Sequence, residues 1–250
     1  MKSRLITRRT ALVAGFASVG GALLPGAFKR LPPTYGSILR MGDNVTYAAH
    51  RLLLPGQSLA KEYSHREITS FPAIGTTDPA EANKPLSGEY GRLLRSGFLH
   101  WRLSVEGRVA SPRSFSLPEL KSFPARTQVT RHTCEEGWSS IGQWTGVPLA
   151  RVLDAVGILP TARYVVYYSY DDWGDSIDML DALHPQTILA YGMNGRDLPV
   201  AHGAPVRLRV ERQLGYKSMK FLHRIVVADE FEDGGEKGNI QNGWAWYTGI

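Results

Sequence analysis

The sequence predicts an α+β fold with mixed β-sheets and short helices, and three observations carry that expectation. Strand-like and helix-like segments are interleaved without regular βαβ alternation. The clearest helical pattern, over 148–156, is only two turns long. The clearest strand, over 163–170 (RYVVYYSY), is rich in β-branched and aromatic residues, as a buried strand should be.

The segments follow in order. Residues 31–100 carry the breakers Pro32-Pro33, Pro55-Gly56, Asp78-Pro79 and Lys84-Pro85, which predict long loops wrapped over a domain. HWRLSVE at 100–106 alternates apolar and polar residues and reads as a strand closed by Gly107. Ser116 stands three residues before Glu119, the spacing of a helix-opening capping box. In 148–156, Leu149, Val152, Leu153 and Val156 fall on one helical face, with Pro148 at the start and Gly157 at the stop. A short helix is expected over 179–184, ended by Pro185, and further strands over 206–211 and 223–229. There is no internal repeat and no low-complexity tract. The six tryptophans are expected to be mostly packing, Trp173, Trp244 and Trp246 among them.

Charge divides the chain at its start. Residues 1–30 hold Lys2, Arg4, Arg8, Arg9, Lys29 and Arg30 and no acid, which accounts for the whole net charge of +6 and leaves 31–250 formally neutral. The basic balance therefore gives no support for a nucleic-acid surface. A basic start, an apolar run over 11–24 broken by glycines, and Pro25-Gly26 have the layout of an export leader. Thr7-Arg8-Arg9-Thr10-Ala11-Leu12 resembles a twin-arginine signal, read by the twin-arginine export machinery and leading to the periplasm or beyond. An ordinary secretory leader and an uncleaved membrane anchor are the alternatives. The organisation expected is a signal over 1–30, a loop-rich segment over 31–64 and one domain over 65–250.

Cys134 is the chain's one cysteine, which excludes an internal disulfide and a cysteine-rich zinc or iron–sulfur site. A lone cysteine is usually a small buried hydrophobe. Its neighbours, Arg131-His132-Thr133-Cys134-Glu135-Glu136-Gly137-Trp138, are too polar for an ordinary core strand. At a strand end beside a cavity, a thiolate there suits a soft or highly charged metal. His132, two residues away, would share its face and leaves a thiol hydrolase open. A second cluster, Leu198-Pro199-Val200-Ala201-His202-Gly203-Ala204-Pro205-Val206-Arg207, places donors around a tight loop suited to a phosphate or a polar heterocycle. A third, Gly215-Tyr216-Lys217-Ser218-Met219-Lys220, offers amides, a hydroxyl and an ammonium to an anion. Taken singly, the second reads better as a surface turn with a solvated arginine, and the third reads equally well as a polar edge strand.

Taken together and in order, the clusters resemble the molybdopterin-binding domain of the sulfite oxidase family. The likeness rests on Cys134 with Trp144-x-Gly146-x-Pro148-Leu149, on Leu189-Ala190-Tyr191-x-Met193-Asn194-Gly195 followed by His202-Gly203-Ala204-Pro205-x-Arg207, and on Gly215-Tyr216-Lys217-Ser218-x-Lys220. It covers roughly 65–250. It implies a molybdenum–molybdopterin cofactor, with Cys134 as the thiolate ligand to the metal and the catalytic centre. His202 and Arg207 would hold the pterin and its phosphate, and Ser218, Met219 and Lys220 would complete the phosphate cradle. Ser169 falls where relatives place a small hydroxyl residue near the cofactor. Further contacts are expected from 69–75 (TSFPAIG).

The implied activity is two-electron oxygen-atom transfer. Sulfite-oxidising relatives carry basic residues just after the cysteine, whereas Glu135 and Glu136 stand here. A sulfite dianion near either acid would meet repulsion of about 1–4 kcal/mol. Small sulfoxides or N-oxides are therefore favoured over a sulfur oxyanion. With no Cys-x-x-Cys-His haem segment in the sequence, electrons would pass to or from a separate partner, a membrane haem subunit or a soluble cytochrome, and the protein would be a monomer. The competing expectations are a non-catalytic exported pterin-binding protein and the Cys134–His132 thiol hydrolase.

Overall fold

The computed structural model describes residues 38–54, 58–234, 238 and 240–250. The expected leader over 1–30 lies outside the described residues. The described part of residues 31–100 holds more helix than the breakers suggest, which corrects the expectation of long loops there. Helix α1 spans Ile38–Leu53 and α2 spans Ser87–Arg95, with single 3-10 turns at His65–Glu67 and Pro79–Glu81. Neither helix owes its existence to propensity. In α1, Tyr47 and Arg51 lie one turn apart and both reach Asp178, and Arg51 also pairs with Asp181 at 2.8 Å. In α2, Gly88 and Gly91 each cost about 1 kcal/mol relative to alanine, so burial of Tyr90 and Leu93 holds the helix.

The remaining elements follow the sequence reading closely. Strand β1 (Arg102–Gly107) leads to β2 (Arg113–Ser116) and α3 (Leu117–Ser122). Ser116 Oγ accepts from the Glu119 N–H while the Glu119 carboxylate accepts from the Ser116 N–H, so the capping box forms. Next come β3 (Arg126–Thr133), β4 (Ser139–Pro148) and α4 (Leu149–Val156), then β5 (Tyr164–Ser169), β6 (Gly174–Asp178) and α5 (Met179–Ala182). Strands β7 (Ile188–Met193), β8 (Arg196–Asp197), β9 (Arg207–Arg209) and β10 (Leu222–Ala228) complete the order. Helix α4 buries all four residues of its predicted face, each contributing about 1.5–3 kcal/mol. Gly157 stops it in the left-handed region, at φ 68°.

The strands form two five-stranded sheets. One runs β2-β1-β10-β5-β6, with β1 and β10 parallel and its other pairs antiparallel; this makes it the mixed sheet that the sequence predicts. The other runs β3-β4-β7-β8, with β9 also pairing to β7. The main core contains Trp101, Leu103, Phe115, Val147, Tyr167, Leu189 and Ile225 alongside the α4 face. Strand ends and connections gather at one place: the exit of β3, the exit of β5, and the loops before β9 and between β9 and β10. No helix among the described residues is long and apolar enough to cross a membrane.

Candidate cofactor cleft

The gathered segments enclose a cleft of about 320 Å³. Strand β3 delivers His132 and Cys134 to it on one face, as extended backbone requires. Just past the strand, a tight turn closes: the Cys134 N–H donates to the Trp138 carbonyl at 2.9 Å, and the Gly137 N–H to the Cys134 carbonyl at 3.1 Å. Gly137 takes φ 90°, a conformation that favours glycine. The turn folds both acids back toward the sulfur. Cys134 Sγ lies 3.5 Å from Glu135 Oε2 and 3.9 Å from Glu136 Oε2. Burial, then the two carboxylates, push the thiol pKa up to about 11 against the opposing Glu136 amide.

His132 does not serve this thiol. Its Nδ1 lies 2.7 Å from Nη1 of Arg209, and a guanidinium only donates, so that lone pair is occupied. Burial, then Arg209 and Arg207, push the ring's pKa down to about 2. A raised thiol pKa beside a histidine whose accepting nitrogen is taken is not a nucleophile–base couple. The geometry gives the thiol-hydrolase reading no support.

The second predicted cluster arrives through a 3-10 turn, Val200–His202. Gly203 follows at φ 109°, and a Cβ there would press into the Lys220 side chain, so glycine lets this loop seat against the third cluster. Arg207 donates to the carbonyls of His202 (3.0 Å) and Ser218 (2.7 Å), tying the two clusters together. Its Nε is buried without a partner. Burial and then Arg209 push its pKa down, with Glu211 opposing. Lys220 Nζ donates to the carbonyls of Ile74 (2.9 Å), Thr76 and Ala201 (3.3 Å). Burial, then Arg207, lower its pKa to about 8. His202 is lowered to about 4 by burial, then Arg207 and Lys220.

Six of the seven predicted site residues therefore line one cleft: Cys134, His202, Arg207, Ser218, Met219 and Lys220. Ser169 does not. Its hydroxyl is spent within its own turn, on Asp171 at 2.5 Å and the Trp173 carbonyl at 3.1 Å, and it is Asp171 and Trp173 that reach the cleft. The 69–75 stretch lines the cleft from Phe71 to Gly75, with Thr76 beyond it. Trp173, which packs against the main core, and Trp244 also line the cleft, while Trp246 is core.

Arg209 escaped the sequence reading, and Trp144 entered it only as part of a motif, without a role in the site. Trp144 is fully buried, with the guanidinium carbons of Arg209 and Arg207 lying 4.4 and 5.0 Å from its ring centroid. Period-two spacing from Arg207 marks Arg209 as sharing its face; nothing local marks Trp144 as their platform.

The charge pattern fits an anionic, polar cofactor. Among the described residues, neither Arg207 nor Lys220 makes an ion pair. An unpaired buried cation costs several kcal/mol, roughly, unless an anion compensates it. Together with the unsatisfied Arg207 Nε, the two cations suit a phosphate set against a polar ring system.

Comparison with known proteins agrees with that chemistry. A family model described as "Oxidoreductase molybdopterin binding domain" matches residues 94–235. A chain of Azospira oryzae, provisionally named protein-methionine-sulfoxide reductase subunit YedZ1, is 41% identical over 149 residues, covering 60% of this chain and 56% of that one. The protein-methionine-sulfoxide reductase catalytic subunit MsrP of Ralstonia nicotianae is 30% identical over 249 residues, covering 89% of this chain and 69% of its own length. The chain thus spans little more than half of the first relative and about two thirds of the second. The sulfane dehydrogenase SoxCD of Paracoccus pantotrophus shares the fold, with a TM-score of 0.52 at 24% identity over 54% of this chain and 40% of that one. The chain belongs to the oxidoreductase molybdopterin-binding-domain family, and residues 94–235 are its molybdopterin-binding oxidoreductase domain.

Proposed function

We propose that the protein is an exported molybdenum-cofactor-dependent reductase of neutral sulfoxides, methionine sulfoxide foremost. The observation that carries this is the convergence of Cys134 with two unpaired cations, Arg207 and Lys220, in one cleft. Cys134 is the thiolate ligand to molybdenum. Arg207 and Lys220 neutralise the cofactor phosphate, His202 and the Ser218–Met219 segment orient it, and Ser169 acts one layer back by fixing the Asp171–Trp173 turn. When bound, the cofactor supplies two-electron oxygen-atom transfer. Overall, a sulfoxide takes up two electrons and two protons and leaves as a thioether and water.

Two features support the substrate. Glu135 and Glu136 line the same cleft and oppose an anion such as sulfite. Trp138, Trp173 and Trp244 present aromatic surface, which favours a thioether-like group. The relatives named as methionine-sulfoxide reductases point the same way. Electrons would come from a separate haem-bearing membrane partner, consistent with a relative named as a catalytic subunit. Export would use the twin-arginine motif at Arg8-Arg9.

Protein from a cofactor-competent host should carry about one molybdenum and one pterin per chain. Cys134→Ser should lose reduction of methionine sulfoxide by reduced viologen dye. Efficient sulfite oxidation with no sulfoxide turnover would overturn the substrate, and a wild type free of molybdenum and pterin would overturn the function.

A further inference from the structure

His132 stands outside the residues that the family resemblance assigns, yet it is held more firmly than most of them. Arg209 Nε and Nη2 reach the two oxygens of Glu211 at 2.9 and 2.8 Å, and both side chains are almost wholly buried. Gln128, also on β3, donates to Glu211 Oε1 at 3.0 Å and so ties the pair to the strand that carries His132. Trp144 packs against the Arg209 guanidinium, fixing its plane. From this clamp, the remaining Arg209 nitrogen donates to His132 Nδ1 at 2.7 Å.

One donor fixes the tautomer. With Nδ1 accepting from a group that never accepts in return, the ring proton belongs on Nε2. That edge lies against Gly215, where any Cβ would collide with His132 Nε2. Gly215 opens the predicted phosphate-cradle loop and itself lines the cleft. The ring keeps 8% exposure, and among the described residues Nε2 has no protein partner. The result is a preset N–H donor at the cleft wall, two residues before the sulfur of Cys134.

We infer that His132 donates its Nε2–H to an electronegative atom of the cofactor group held in this cleft, and that Arg209, clamped by Glu211, is the positioning residue that sets the donor. The inference rests on the molybdenum-cofactor reading. A hydrogen-bond donor beside a metal centre stabilises its more electron-rich state, so it raises the reduction potential. Arg209 acts only through the ring.

The test uses the loaded protein labelled with 15N-histidine. Pulsed EPR of its paramagnetic molybdenum state should show a 15N coupling that disappears in His132→Gln, which keeps an N–H donor without the ring. His132→Phe removes the donor and should lower the potential; a tenfold loss of relative stabilisation corresponds to about 59 mV for a one-electron step. His132→Gln should return the potential toward wild type. Absence of the coupling in a loaded wild type, or a folded His132→Phe with unchanged potential and pterin content, overturns the inference and leaves the cofactor reading standing. A wild type without molybdenum overturns both. Absence of the coupling is read on the wild type and overturns the inference without any substitution, whereas a coupling that is seen is assigned by its loss in His132→Gln, because His202 in the same cleft is labelled too.

Discussion

The sulfur of Cys134 lies 3.5 Å from a carboxylate oxygen of its own neighbour, Glu135, inside the cleft that also holds Arg207 and Lys220. Burial first, and then this contact, hold the thiol protonated until something displaces the proton. A thiol raised from 9.0 to about 11 should alkylate about a hundredfold more slowly at pH 7.5 than an ordinary one, because only the thiolate reacts. Iodoacetamide rates on cofactor-free protein check this. The double substitution Glu135→Gln/Glu136→Gln should recover part of the deficit. A wild-type rate matching free cysteine would contradict the arrangement.

Lys220 makes the cofactor-free cleft pH-sensitive in a definite direction. Its folded pKa of about 8 lies below the ordinary 10.5, so between those values the unfolded chain holds a proton that the folded chain has released. Stability contributed by this residue therefore rises with pH across that window, by at most about 3 kcal/mol. Urea unfolding of wild type and Lys220→Met, compared at pH 7.5 and 9.5, isolates it. The wild type should gain relative to the variant as pH rises, and an anion bound in the cleft should flatten the difference.

Lys217 is a neighbour in sequence with a different task. Its ammonium is fully buried, 2.6 Å from Asp175 Oδ1 and 3.0 Å from the Ser176 carbonyl, so it anchors the 215–217 turn to β6. Asp175→Asn should cost about 3–5 kcal/mol, since it strands a buried charge. Lys217→Met/Asp175→Leu should recover most of that loss. Equilibrium denaturation decides; equal losses in the single and double variants would argue that packing, not charge, holds the turn.

Helix α1 hangs on Arg51. The guanidinium meets Asp178 and Asp181, both buried, and Tyr47 adds a 2.8 Å hydrogen bond to Asp178. Arg51→Ala leaves two neighbouring buried carboxylates without their cation. Amide exchange over residues 42–53 should accelerate at least tenfold, while exchange in β4 and β7 stays slow. Unchanged protection in α1 would show that its other contacts suffice.

Several elements follow from causes confined to a short stretch of chain. Ser116 with Glu119, the Pro148-to-Gly157 helix and the β-branched run of β5 form as expected, because each cause lies within a few residues of its effect. The order of Cys134, His202, Arg207 and Lys220 along the chain was equally readable, and these four meet in the cleft. Helix α1 was not readable as structure because its anchors, Asp178 and Asp181, are more than 120 residues away. Ser169 looked available until its turn closed on Asp171 and took the hydroxyl. The Arg209–His132 contact joins residues 77 apart and exists only because β3, β4, β7 and β9 pair in one register. A shift of one residue in any of those pairings would turn the ring or the guanidinium to the opposite face. Residue spacing sets which side chains a strand presents together; only the assembled sheet decides what each of them meets.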